Sequence, residues 1–248
     1  MWIVLLLVAC GAAVVSSARL CLAAVAAAAL PEGGSGAAPD GGLGLYETAF
    51  LAGGPRRVTD TALVSLAGER RVLLAHTGWV TVVDPQGRDE LERSLIAATG
   101  PDGQAPVAAV RVALAADGPV HALGDRLADA GLAVPADTRA RVAEGIRQVR
   151  AATGLIVLAA AAGFGLGASA RTPTGAPLVL WFALPLILTS GCWLIARIEV
   201  RPYTRWATPS GQQALRTVLA DTRPPPLLAV AARGPAALKD PALRAALA

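Results

Sequence analysis

RRVTDTALVSLAGERRVLLAHTGWVTVVD, residues 56–84, decides how the middle of this chain is read. Val58, Ala62, Leu63, Leu66 and Ala67 fall on one helical stripe, so Val58–Ala67 is expected to be a helix with a single buried side. Arg71–His76 and Trp79–Asp84 are β-rich runs around Thr77-Gly78, a pattern that predicts a hairpin with a two-residue turn. Upstream, Leu45, Phe50 and Leu51 give Leu43–Ala52 near-helical spacing before Gly53-Gly54-Pro55 interrupts it, and Pro55 suits the first turn of the next helix. Two helices followed by a hairpin predict a winged-helix-like α+β domain.

Working outward, Asp89–Thr99 reads as a helix with Leu91, Leu95 and Ile96 inward, followed by a loop over residues 100–104. Ala105–Ala116 and Pro119–Ala130 are expected helices, with Leu132–Pro135 in the strand position of a weak second copy of the first unit. Asp137–Arg150 is amphipathic and should run directly into the apolar sequence after it.

That apolar sequence sets the class. Hydrophobic residues make up 54% of the chain and charged ones only 16%, too apolar for an ordinary water-surrounded domain. The excess lies in 1–30, which is interrupted by Arg19, in 151–170 and in 177–196. The last two are charge-free and close to the ~20 residues that cover a bilayer core. No Lys or Arg precedes Arg19, which favours an uncleaved anchor over a signal peptide with a charged lead-in. The expectation is a mainly α membrane protein with three transmembrane helices: an anchor over 1–30, a flexible linker over 31–42 (PEGGSGAAPDGG from Pro31), the winged-helix-like domain over 43–150, a transmembrane helical hairpin over 151–198 and a tail over 199–248.

Charge supplies an orientation. From residue 43 to 150 there are twelve basic and thirteen acidic residues, whereas 197–248 carries eight and three. Arg139, Arg141, Arg147 and Arg150 precede the second apolar stretch, and Arg197, Arg201 and Arg205 follow the third. By the positive-inside rule, the middle domain and tail face the cytoplasm of a plasma membrane and the N-terminus lies outside. Within the apolar stretches, Ala159, Gly163 and Gly167 form a small-residue stripe suited to close helix packing, and self-association of the chain through it is left open.

The run Leu45–Val58 (LYETAFLAGGPRRV), with Ala62–Leu66 after it, resembles an uncharacterised family of bacterial membrane proteins sharing a conserved membrane domain of unknown function. Val230–Leu238 is similar to that family's usual ending. The resemblance implies an anchor, a cytoplasmic domain, two spans and a tail, and carries over no activity, substrate or catalytic residue. Members often end in glycine- or cysteine-rich sequence, which this chain lacks. Thr61–Val134 also resembles, in its order of elements only, the Golgi phosphoprotein family of helical phosphoinositide binders. No lipid-pocket residue matches.

The most suggestive local chemistry is Gly53, Gly54, Arg56 and Arg57. Glycine amides at a helix start together with two guanidiniums can hold an anion, although glycines acting as simple helix breakers explain the same letters. His76 and His121 have no Cys, His or carboxylate at ligand spacing, and no phosphate loop or nucleophile elbow occurs, so neither metal nor cofactor is expected and no catalytic set is assigned. A DNA role for Val58–Ala67 is disfavoured, because its outward residues would be Thr59, Asp60 and Thr61 in a domain with one excess negative charge. Two readings follow. One is a membrane-tethered module with a protein partner; the other is a binder of anionic lipid or another phosphate-bearing ligand. Both place the lipid bilayer itself among the partners.

Overall fold

A computed structural model describes residues 42–166, 206–220 and 224–247, with isolated positions between 11 and 18 and at 187 and 191. The chain divides into two compact units, one holding residues 31–135 and 203–248 and the other 1–30 and 136–202. The segment after residue 203, read from sequence as a tail, thus belongs to the same unit as the middle of the chain.

That first unit is organised around α1, Leu45–Gly68, two helical halves joined by a kink at Gly54 (φ 70°, ψ −161°). Glu47 starts the helix by accepting the Gly44 N–H at 2.8 Å. The expected second helix is present, but its expected one-sided burial is not. Val58 through Val64 and Leu66 are all buried, including Thr59, Asp60 and Thr61, the residues expected to face solvent. Thr59 and Thr61 satisfy their hydroxyls inside the helix, on the Pro55 and Arg57 carbonyls. The helix is central, and the residues expected to point outward are enclosed.

β1 (Val72–Ala75) and β2 (Trp79–Val82) form the expected hairpin. Pairing of Ala75 with Trp79 makes the loop three residues long, His76-Thr77-Gly78, closed by Gly78 at φ 79°. Asp89 caps α2 (Glu90–Ala97) by accepting the Glu92 N–H at 2.7 Å. The end of the expected loop and the first residues of the next expected helix are instead β3, Gln104–Pro106, antiparallel to β2 in the sheet order β1-β2-β3. Pro106 is at the sheet margin, where a missing N–H costs nothing. α3 (Val107–Ala115) and α4 (Gly118–Asp129) follow.

Residues 131–134 pair outside the sheet. Ala133 bridges Ala207, Val134 N–H donates to the Trp206 carbonyl at 2.9 Å, and Thr208 N–H donates to the Leu132 carbonyl at 2.9 Å. From there α6 (Pro209–Leu219), α7 (Pro226–Arg233), a 3₁₀ turn (Pro235–Ala237) and α8 (Pro241–Ala246) complete the unit. Pro224 and Pro225 are extended, as triple proline demands, yet Pro226 already opens α7, whose main packing partner is α1.

The other unit contains α5, Ala136–Leu166, continuous over 31 residues. Three membrane-crossing helices are not found, since among the described residues no single helix is long and apolar enough to cross a membrane. The first half of α5 carries Asp137, Arg139, Arg141, Glu144, Arg147 and Arg150. The pair α3 and α4 passes by length and composition but bends by 54°. It buries Val107, Val110, Leu114, Val120, Leu123 and Leu127 in the core of the first unit. The stretches 1–30 and 177–196, apart from isolated positions, lie outside the described residues.

The kink explains Gly54. A Cβ there would lie 2.0 Å from Cε2 of Trp206 in addition to adopting a positive φ. We therefore expect Gly54→Ala to lower unfolding stability by about 3 kcal/mol, combining left-handed strain with overpacking. In a Trp206→Ala background the same change should cost only about 1 kcal/mol, the strain alone. Denaturant titration of the four proteins measures this cycle, and equal costs in both backgrounds would remove the indole from the explanation.

Candidate functional site

The four anion-site candidates do not converge. Gly54 makes room for Trp206, whose ring meets Phe50 edge-on at 5.4 Å and 71°. Gly53 makes room for Arg57, whose Cβ would be 2.7 Å from a Cβ at residue 53. Arg57 runs on to Gly234 (φ 88°), where an added Cβ would sit 2.6 Å from its Cζ. Its Nη1 is buried with no hydrogen-bond partner among the described residues. Burial lowers the Arg57 pKa, Asp60 opposes that shift and Arg56 adds to it. Arg56 points elsewhere, because successive helical residues are 100° apart. It lines an open depression of about 640 Å³ with Ala108, Arg111, Val112, Ala115 and Ala116.

Arg111, not singled out from sequence, bridges distant parts of the chain. Its Nε donates to Asp60 Oδ1 at 2.7 Å and its Nη2 to the Leu247 carbonyl at 2.6 Å. Burial pushes the Asp60 carboxyl up, and the hydrogen bond from Arg111 pulls the other way. A carboxylate in the middle of an apolar helix was the available signal, but nothing in the sequence names its partner 51 residues away.

A second network joins the hairpin to α2. Arg71, almost fully buried, donates to Glu92 at 2.7 Å and Asp84 at 3.1 Å. Burial alone would raise Glu92, but hydrogen bonds from the Arg88 N–H and from Arg71 hold it below its ordinary value. Asp84 is lowered by the Gln86 N–H and then by Arg71. Tyr46 is pushed up to about 12 by burial and by Asp89, Glu92 and Glu69. Arg71, Asp84 and Glu92 satisfy one another.

The outer side of the sheet behaves differently. Strand alternation turns Val72, Leu74, Val80, Val82 and Ala105 to the core. Leu73, Ala75, Trp79, Thr81, Gln104 and Pro106, with Val83 just beyond β2, take the opposite side. Leu73 is 60% exposed, Trp79 48% and Val83 56%, on a face without a single charge. Single exposed apolar residues are ordinary; three large ones on one uncharged sheet face are not.

Ala159 and Gly163 fall within α5, and Gly167 lies outside the described residues, so the packing stripe is not tested by any described contact. His76 is exposed at the hairpin tip, and His121 Nδ1 lies 2.8 Å from the Asp117 carbonyl. No group of three metal-ligating side chains occurs among the described residues. No family model, curated protein or solved structure matches the chain.

Asp60→Ala should destabilise the protein by about 3 kcal/mol, because it strands the largely buried Arg111 guanidinium. Asp60→Ala combined with Arg111→Met should recover part of that loss. Calorimetric midpoints decide; a double variant no more stable than the single one would show that the pair is not the cause. The pH response has a definite sign. Glu92 and Asp84 have folded pKa values below their unfolded ones, so their contribution is complete above about pH 4.5 and fades as pH falls. The gap in melting temperature between the parent and Glu92→Gln should therefore be widest near neutrality and shrink towards pH 2–3. A pH-independent gap would mean that packing, not charge, is what glutamine disrupts.

Proposed function

We propose that the protein is a membrane-tethered interaction module, with the outer face of the β1-β2-β3 sheet as its docking surface for a partner protein. The observation behind this reading is the uncharged face carrying Leu73, Trp79 and Val83, each about half exposed or more. Its central indole has the size, rigidity and amphipathic character of the residues that dominate protein interfaces. The core behind it is well ordered by Val72 and Val80, both essentially inaccessible, so the face is held rigid and docking costs little ordering entropy.

The tether rests on sequence. Residues 1–30 and the charge-free 177–196 keep an apolarity that a water-surrounded chain has no use for. Attachment to a membrane raises the local concentration of a partner held in the same plane, so an interface smaller than that of a permanent complex is sufficient.

A photo-reactive amino acid at Trp79, incorporated into the full chain in the cell that makes it, tests the reading. The expected product is one recurrent cross-linked protein that is absent when the probe is moved to Arg126 on α4 and reduced at least about tenfold by Leu73→Asp, a change that buries a charge in the interface. Identical products from positions 79 and 126, or none from 79, would sink it.

A further inference from the structure

A second uncovered surface lies on α3, away from the sheet residues just described. Its sequence, VAAVRVALA, is apolar all round apart from Arg111. A helix of that composition is normally enclosed on every side. Here Val107, Val110 and Leu114 turn into the core, while Ala108, Ala109, Val112, Ala113 and Ala116 stay exposed, Val112 by 73%. The uncovered side forms the floor of the depression edged by Arg56 and Arg111. Both edge charges are positive, but they are not equivalent. Arg111 is already committed to Asp60 and the Leu247 carbonyl. Arg56 is exposed and pairs with no carboxylate among the described residues.

We propose that the outer face of α3 rests on the surface of an anionic bilayer, with Arg56 against a lipid phosphate. An apolar helix side bordered by a free guanidinium is the combination that holds interfacial helices on negatively charged membranes. The guanidinium fork matches two phosphate oxygens, and the Arg56 side chain is long enough to reach a headgroup while the small Ala and Val side chains meet the acyl boundary. A protein partner fits this face less well, because alanines and one valine offer no large anchor of the kind Trp79 supplies on the sheet. Between leaving this unit after residue 135 and returning at 203 the chain also contains the charge-free apolar run Pro177–Ala196.

The test uses the full chain with Cys10, Cys21 and Cys192 replaced by serine and one new cysteine, Val112→Cys, carrying the fluorophore NBD. Vesicles contain phosphatidylcholine alone or with about a quarter phosphatidylglycerol, each with and without a doxyl-labelled quencher lipid. The expected result is quenching at position 112 that is strong with phosphatidylglycerol, weaker without it, and absent for Asp125→Cys on the exposed side of α4. Arg56→Gln should lower the ratio of lipid-exposed to water-exposed label about fivefold in the anionic vesicles, the share expected of one basic residue at such a surface. Equal quenching at 112 and 125, equal quenching in both vesicle types, or protein that stays with the aqueous fraction would each overturn the proposal. So would a blue-shifted label at 112 that lipid quenchers do not reach, because a second copy or another protein would then cover the face. None of these variants lies on the sheet, so their failure is separable from failure of the cross-links at Trp79.

Discussion

The packing of the Trp206 indole into the kink at Gly54 is the contact on which the rest of the first unit depends. A residue with any side chain at position 54 would meet the ring at bonding distance, and a straight helix would have no notch to receive it. The positive φ at Gly54 divides α1 into two directions, with Val58–Val64 and Leu66 of the second half buried, and α1 packs against β1, α3, α4 and α7. Trp206 comes from the far side of a long excursion of the chain, and its neighbours Ala207 and Thr208 pair with residues 131–134. The indole thus closes the unit as a clasp would, bringing the start of the C-terminal segment against the helix that begins the domain. α7 then lies along α1, and Arg57 reaches Gly234, the residue that ends it.

Enclosing α1 has an electrostatic consequence. Asp60 is inside because its helix is inside, and a lone carboxylate there would be strongly unfavourable. Arg111 compensates it, and the same guanidinium holds the Leu247 carbonyl, so one ion pair links α1, α3 and the end of α8. Arg71 plays a similar part between the hairpin and α2. Asp60, expected to face outward, is thereby taken up in the interior together with Arg71 and Glu92. Two uncovered surfaces are apolar: one side of the sheet and one side of α3. The two surfaces differ in kind, since one carries a large aromatic anchor and the other only small side chains beside a free arginine. That difference is why a protein partner suits the first and a lipid surface the second.

Much of the local order could be read directly. The break at Gly53-Gly54-Pro55, the hairpin about Gly78 and the helices after Asp89 and Gly118 all follow from short-range chemistry, in which a residue's φ preference or apolar spacing acts within a few positions. The continuous helix from Ala136 follows from the same cause. Its reading as part of a membrane-crossing set does not survive, because among the described residues no single helix is long and apolar enough to cross a membrane. Hydropathy counts apolar residues without knowing what they touch, and the α3–α4 pair shows how a protein core produces the same signal as a lipid-facing segment.

Sequence by itself determined the elements whose causes are local: helices, turns, the alternation of the hairpin and the overall apolarity. Tertiary structure alone decided which glycine needs were steric, placing Trp206 over Gly54 and Arg57 against Gly53 and Gly234. It also separated Arg56 from Arg57, paired Asp60 with a residue 51 positions away, and added β3 where helix was expected. The physical reason is common to all of them. Contacts between residues far apart in the chain depend on the direction in which each element leaves its neighbour, a direction that the backbone angle at Gly54 sets for the two halves of α1.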